Sequence, residues 1–162
     1  MKVAIGSDHA GFELKEQIKD YLEDEGYDVT DVGALRYDKD DDYPDFARSV
    51  AHKVAMGDVD RGILVCDTGI GVDIAANKVP NVRSALVHDE ELAIRTRLHN
   101  DTNVLSLGAM FVDPEKAKRI VDNWLQTEFS HEERHERRIH EIRDIYRQES
   151  LIYEEVLEND GE

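Results

Sequence analysis

The sequence predicts an α/β fold in three layers, α/β/α, around a five-stranded parallel sheet. Two observations carry that prediction. Short apolar runs alternate with amphipathic segments along most of the chain, and strand–helix alternation builds parallel sheets with helices on both faces. The run 62–66 is apolar without interruption, as expected of a central strand buried on both sides.

The elements follow in order. Val3, Ala4 and Ile5 read as the first strand, and Phe12, Leu14, Ile18, Tyr21 and Leu22 recur at helical spacing behind it. Residues 27–32 read as a second strand that stops at Gly33. Phe46, Val50 and Val54 mark a helix opened by Pro44, a residue tolerated in a first turn. The strand 62–66 precedes a short helix over 74–78, a fourth strand over 83–87, a helix over 90–98 and a fifth strand over 104–107. Two helices close the pattern. The first has Asp113 as N-cap and Pro114 at its first position, with Ala117, Ile120, Val121, Trp124 and Leu125 on one face. The second starts near Ser130, with Glu133 completing a capping box, and carries Ile139, Ile142 and Tyr146. Residues 149–162 contain acidic but no basic side chains and read as a tail with a frayed end. One domain over 1–148 is expected, a normal size for 162 residues.

Composition excludes several classes. A net charge of -17 opposes nucleic acid and anionic membranes, which demand a basic surface. No apolar run approaches the ~18 residues of a membrane span. Ser7 and Asp8 follow too early for a signal-peptide core, so a cytoplasmic location is expected. Cys66 is the single cysteine, which rules out an intramolecular disulfide and agrees with a reducing compartment.

Ligands of such sheets bind beyond the carboxyl ends of the strands, which directs attention to the loops after Ile5, Cys66, Val87 and Leu107. The loop Cys66-Asp67-Thr68-Gly69-Ile70-Gly71 can turn tightly and aim several N–H groups at one point. It could hold a phosphate, a carboxylate or an enolate oxygen, or simply turn a strand into a helix. A dinucleotide fingerprint fails because Ile74 stands at the third glycine position, and no Gly-Lys-Ser/Thr follows to make a P-loop. A cysteine phosphatase of the Cys-x5-Arg kind needs arginine where Val72 stands. Asp8 and His9, after the first strand, are a helix cap and a surface residue, or contacts to sugar hydroxyls. His99-Asn100-Asp101-Thr102-Asn103 is a polar turn or the source of a proton donor.

Two further patterns are weaker. His131-Glu132-Glu133-Arg134-His135 matches H-E-x-x-H, but charged surroundings and the missing third ligand argue against zinc. The same stretch contributes Arg134, His135, Arg137 and Arg138, either a solvated helix with salt bridges or a phosphate clamp. Asp38, Asp40 and Asp42 begin like a calcium loop, yet Tyr43 and Ser49 occupy its glycine and glutamate positions.

Taken together, the chain resembles the ribose-5-phosphate isomerase B family, which includes galactose-6-phosphate isomerase subunits. The resemblance runs from Lys2 to about Gln148. It rests on Gly6-Ser7-Asp8-His9-Ala10-Gly11, Asp42-Tyr43-Pro44, Cys66 onward to Ala75-Ala76-Asn77-Lys78, His99-Asn100-Asp101-Thr102-Asn103, and Arg134-His135-x-x-Arg138. It implies a Rossmann-like fold, no metal or organic cofactor, and a homodimer or dimer of dimers with active sites shared between subunits. It also implies isomerisation of a small phosphorylated sugar through a cis-enediolate. Cys66 is then the base, with Thr68 beside it, and the Asp67, Gly69, Ile70 and Gly71 backbone stabilises the oxyanion. His99 assists ring opening or proton transfer. Asp8, His9, Tyr43 and Asn100 contact the substrate, Arg134 and Arg138 grip the phosphate, and His135 lies near the ring oxygen. Family members with a glutamate base carry it where this chain has Val72.

Three positions depart from the pattern. Asp67 replaces a glycine and Asp73 a common serine, which brings two negative charges toward Cys66, and Met110 stands where an arginine is common. The departures keep two alternatives open: another four- to six-carbon sugar phosphate as substrate, or a non-catalytic sugar-phosphate-binding or regulatory subunit.

Overall fold

The computed structural model describes residues 1–159. The chain forms two compact units, Met1–Phe129 and a second that begins at Ser130. The expected partition, a domain over 1–148 and a tail over 149–162, draws its boundary elsewhere.

The first unit contains β1 (Lys2–Ser7), α1 (Phe12–Asp24), β2 (Asp28–Asp31), α2 (Tyr43–Ala55), β3 (Arg61–Cys66), α3 (Ile70–Ala76), β4 (Ser84–Leu86), α4 (Glu90–Asn100), β5 (Val104–Gly108) and α5 (Pro114–Gln126). The five strands form one sheet in the order β2-β1-β3-β5-β4, and every pair is parallel. The three-layer α/β/α expectation holds.

Strand periodicity divides the core. Successive side chains of a strand point to opposite faces. Val3, Ile5, Ile63, Val65, Leu105 and Leu107 join one buried cluster with residues of α1, α4 and α5. Ala4, Leu64, Cys66 and Val104 join a second with α2 and α3. Burying an aliphatic side chain such as Ile63 or Leu64 contributes about 1.5–3 kcal/mol. Trp124 anchors α5, and its Nε1 donates to Thr102 Oγ1 at 2.9 Å. Lys15 is fully buried on α1, where its Nζ pairs with Asp31 at 2.7 Å and donates to the Ala34 carbonyl at 2.8 Å. A buried cation needs such partners, and these tie α1 to the end of β2.

The strand order fixes the crevice. From β1 the chain passes to β2 on one side, then returns to β3 on the other side of β1. Such reversals open a cleft at the carboxyl ends of the two strands. Ser7 pairs with Val65, so the residues that follow β1 emerge level with Cys66.

Three local expectations are corrected. The helix expected over 74–78 is α3 and begins at Ile70, because Gly69 takes a φ of 78° and starts it at once. The capping box at Ser130 does not form. His131 has a φ of 53°, which no α-helical turn accepts, so α6 (Glu133–Asn159) starts later and Ser130 Oγ lies 2.8 Å from His135 Nδ1. The segment read as a tail continues as α6 to Asn159, while residues 160–162 lie outside the described part. Among the described residues no helix is long and apolar enough to cross a membrane.

Candidate active site

Cys66 ends β3, paired with Gly108 of β5, and is 5% exposed. The Gly69 amide donates to its sulfur at 3.1 Å. That geometry needs glycine at 69, since a Cβ there would lie 2.4 Å from Leu86 Cδ1 and 2.9 Å from the Leu107 carbonyl carbon. The loop is pinned from behind, as the Ala109 and Met110 amides donate to the Cys66 and Asp67 carbonyls, both at 2.9 Å. Thr68 Oγ1 accepts from the Ile70 amide at 3.3 Å. The Tyr43 ring lies against Gly71, where an added Cβ would approach it to 2.7 Å. Thr68, Ile70 and Gly108 line a cavity of about 340 Å³ with Leu86, His88, Phe111 and Lys116.

Asp8 and His9 stand across the crevice. Asp8 is buried and accepts from the Gly11 amide at 3.0 Å. Burial raises its carboxyl above the usual range, and the Gly11 bond opposes the shift. His9 Nδ1 lies 2.7 Å from Asp41 Oδ1, and the same oxygen accepts from the His9 amide at 3.0 Å. That bond is the main cause of an imidazole raised above its ordinary value.

The two departing carboxylates take different places. Asp67 is exposed and does not take a positive φ, so its side chain strains nothing. Asp73 turns to β4, where Ser84 Oγ donates to it at 2.7 Å and lies 2.9 Å from Ser106 Oγ. Burial raises the Asp73 carboxyl above its ordinary value, with the Ser84 and Ser106 hydroxyls opposing.

Not every expected residue joins this group. His99 and Asn100 form the last turn of α4, just before β5 begins, at the amino-terminal edge of the sheet. Arg83 fixes that corner through the Asn100 and Asp101 carbonyls, at 3.0 Å each. Arg134, His135 and Arg138 belong to the second unit. Arg134 Nε meets Glu132 at 2.8 Å, and Arg137 reaches Glu141 at 3.7 Å, the i,i+4 pairing of a solvated helix. His131 precedes α6, so the H-E-x-x-H histidines do not share a helical face. Asp41, His88 and Lys116 also belong to this region. His88 follows Val87, whose loop the fold class marks, while no spacing or motif marks Asp41 or Lys116.

The family model for ribose/galactose isomerases matches residues 3–142. The chain belongs to that family. Ribose-5-phosphate isomerase B of Escherichia coli is 44% identical over 141 residues, 87% of this chain and 93% of that protein. D-erythrulose-4-phosphate isomerase of Pectobacterium atrosepticum is 44% identical over 129 residues, 80% of this chain and 85% of that protein. The crystal structure of ribose-5-phosphate isomerase B from Mycoplasma genitalium with bound ribulose-5-phosphate superposes with a TM-score of 0.86 at 44% identity, covering 90% of this chain and 96% of that one. The fold of this family member is Rossmann-like, and the chain is an aldose–ketose isomerase acting on a sugar phosphate.

Proposed function

We propose that this chain interconverts ribose 5-phosphate and ribulose 5-phosphate through a cis-enediolate, in the cytoplasm, with Cys66 as the base. The observation that carries the assignment is the Gly69 amide aimed at Sγ, 3.1 Å away, at the end of a strand facing the crevice. That contact holds the sulfur at the carboxyl end of β3, where ligands of such a sheet bind. The thiolate removes the C2 proton of the open-chain aldose, and the C–H electron pair becomes the enediolate double bond as charge moves to the C1 oxygen. Returning the proton to C1, while the C2 hydroxyl proton passes to the C1 oxygen, gives the ketose. The oxyanion develops beside the loop over 67–71, whose backbone donors not given to Sγ and Thr68 Oγ1 stabilise it.

Asp8 and His9 hold the sugar hydroxyls, and Tyr43 covers the loop at Gly71. His99 opens the ring or relays a proton, Asn100 binds beside it, and Arg134 and Arg138 grip the phosphate with His135 near the ring oxygen. His99 and Cys66 lie at opposite edges of the sheet within one chain, which favours a homodimer with each site built from two copies. The apolar Ile70, Ile74, Met110 and Phe111 side chains, all exposed in the single chain, suit such an interface.

Met110 in place of an arginine favours a second substrate reading, a four-carbon or six-carbon aldose phosphate handled by the same residues. A panel of aldose phosphates of four to six carbons, followed by NMR in deuterated water, decides between them through the rate of hydrogen exchange at C2. Cys66→Ala should lower turnover and C2 exchange about 100- to 10,000-fold with an unchanged circular dichroism spectrum. Undiminished exchange would remove Cys66 as the base.

A further inference from the structure

Asp41 sits in the loop between β2 and α2, 32 residues from His9 in sequence, yet it grips that residue twice. Its Oδ1 accepts from the His9 amide at 3.0 Å and lies 2.7 Å from His9 Nδ1. Its side chain is 11% exposed, and Oδ2 is buried with no hydrogen-bond partner among the described residues. The Tyr37 ring meets the imidazole edge-on at a centroid distance of 6.0 Å. Two bonds to one oxygen fix both the backbone and the ring of His9, and they commit Nδ1 to the carboxylate. The ring nitrogen that remains to meet a ligand is Nε2.

The ionisation of the ring follows from its neighbours. Asp8, Asp38 and Asp41 all act on His9 as negative charges, and Tyr37 adds no positive one. An imidazolium between carboxylates donates from both nitrogens, whereas a neutral ring with Nδ1–H committed to Asp41 presents Nε2 only as an acceptor. The two forms recognise different sugar atoms. A donor can bind a hydroxyl, ring or carbonyl oxygen, whereas an acceptor binds only a hydroxyl.

We propose that Asp41 is the positioning residue of His9: its carboxylate locks the ring through Nδ1 and sets a negative charge against it, leaving Nε2 to meet a substrate oxygen. This rests on the reading of His9 as a substrate-holding residue. Asp41 thereby sets substrate affinity without touching the sugar. A carboxylate that merely anchored the loop would work as well neutral as charged, because the amide of asparagine also offers an oxygen to the His9 N–H.

The test is the neutral variant Asp41→Asn in the full chain. Histidine side-chain NMR titration without substrate should show the His9 midpoint moved to lower pH, and Asp41→Glu should restore it toward wild type. With ribose 5-phosphate, Asp41→Asn should raise KM about three- to tenfold at neutral pH with kcat little changed. The KM gap should close in mildly acidic buffer, where the ring is protonated in both proteins. His9→Gln in the wild-type background should raise KM alike, and adding Asp41→Asn to it should change nothing more. That cycle also settles the matter if the single Asp41→Asn chain folds poorly. An unmoved midpoint, or a KM ratio independent of pH, overturns the proposal even if turnover is normal. If the isomerase reading itself is wrong, no aldose phosphate turns over, yet the midpoint still falls.

Discussion

Asp73 carries a carboxylate into a half-buried place between α3 and β4, where the hydroxyl of Ser84 and the amide of Asn77 donate to it. Burial dominates, so the folded-state pKa is raised above 3.8. The sign follows from linkage. An acid that binds its proton more tightly when folded favours the fold at pH below its unfolded value, and that contribution fades as pH rises through the raised one. At neutral pH the ionised group is therefore a liability. Asp73→Asn keeps an oxygen for Ser84 and removes the charge, so its melting temperature should exceed that of wild type at neutral pH. The gap should narrow as the buffer is acidified. A variant that melts lower at neutral pH would mean that the Ser84 bond outweighs the burial of charge. His9 obeys the same rule with a base: its pairing with Asp41 supports the fold below an unfolded value near 6.5 and weakens as pH rises through the raised one. Cooling or heating scans of Asp41→Asn across that range should show stability lost mainly on the acidic side.

At the scale of elements, the join between β3 and α3 does the positioning. Gly69 starts α3 from a left-handed backbone and its amide meets the Cys66 sulfur, so one residue fixes both the helix start and the donor. Gly69→Ala meets Leu86 and the Leu107 backbone at distances no Cβ accepts and holds an unfavourable φ. It should cost about 1–3 kcal/mol and lower kcat more than it raises KM, since the displaced amide serves chemistry rather than binding. Thermal unfolding and steady-state kinetics on the one variant read both effects. This join was legible in the sequence as Cys66 followed by two glycines, because cysteine at a strand end and glycine in a turn each have a local physical reason. The strands β1 and β3 were legible for the same kind of reason, their uninterrupted apolar runs, and β5 from a run broken only by Ser106. Other features have no local signature. The start of α3 depends on a φ at Gly69 that periodicity cannot report, and the failed cap at Ser130 depends on the φ of His131. The reach of α6 was hidden because acidic residues without basic partners look like solvated tail. Asp41 was invisible because its partner lies 32 residues away and is chosen only by the fold.

At the scale of the molecule, the parallel sheet sets a distance that a single chain cannot close. Gly62 pairs with Val104 and Cys66 with Gly108, so the start of β5 lies about 13 Å along the strands from the sulfur. His99 sits just before that start, beyond the length of any side chain. If both residues serve one reaction, each site must draw them from two copies, and a two-fold dimer does so twice. The consequence is measurable by complementation. Cys66→Ala and His99→Ala are each expected to be inactive alone, one lacking the proposed base and the other the proposed ring-opening group. Co-expressed in equal amounts, they form mixed dimers as half of all dimers. Each mixed dimer has one site spoiled twice and one site with both native residues, so the pool should recover about a quarter of wild-type activity. Native mass spectrometry of the same pool measures how many mixed dimers are present. Mixed dimers with no recovered activity would place cysteine and histidine on the same copy's site or outside the reaction, and the two-copy site would be lost.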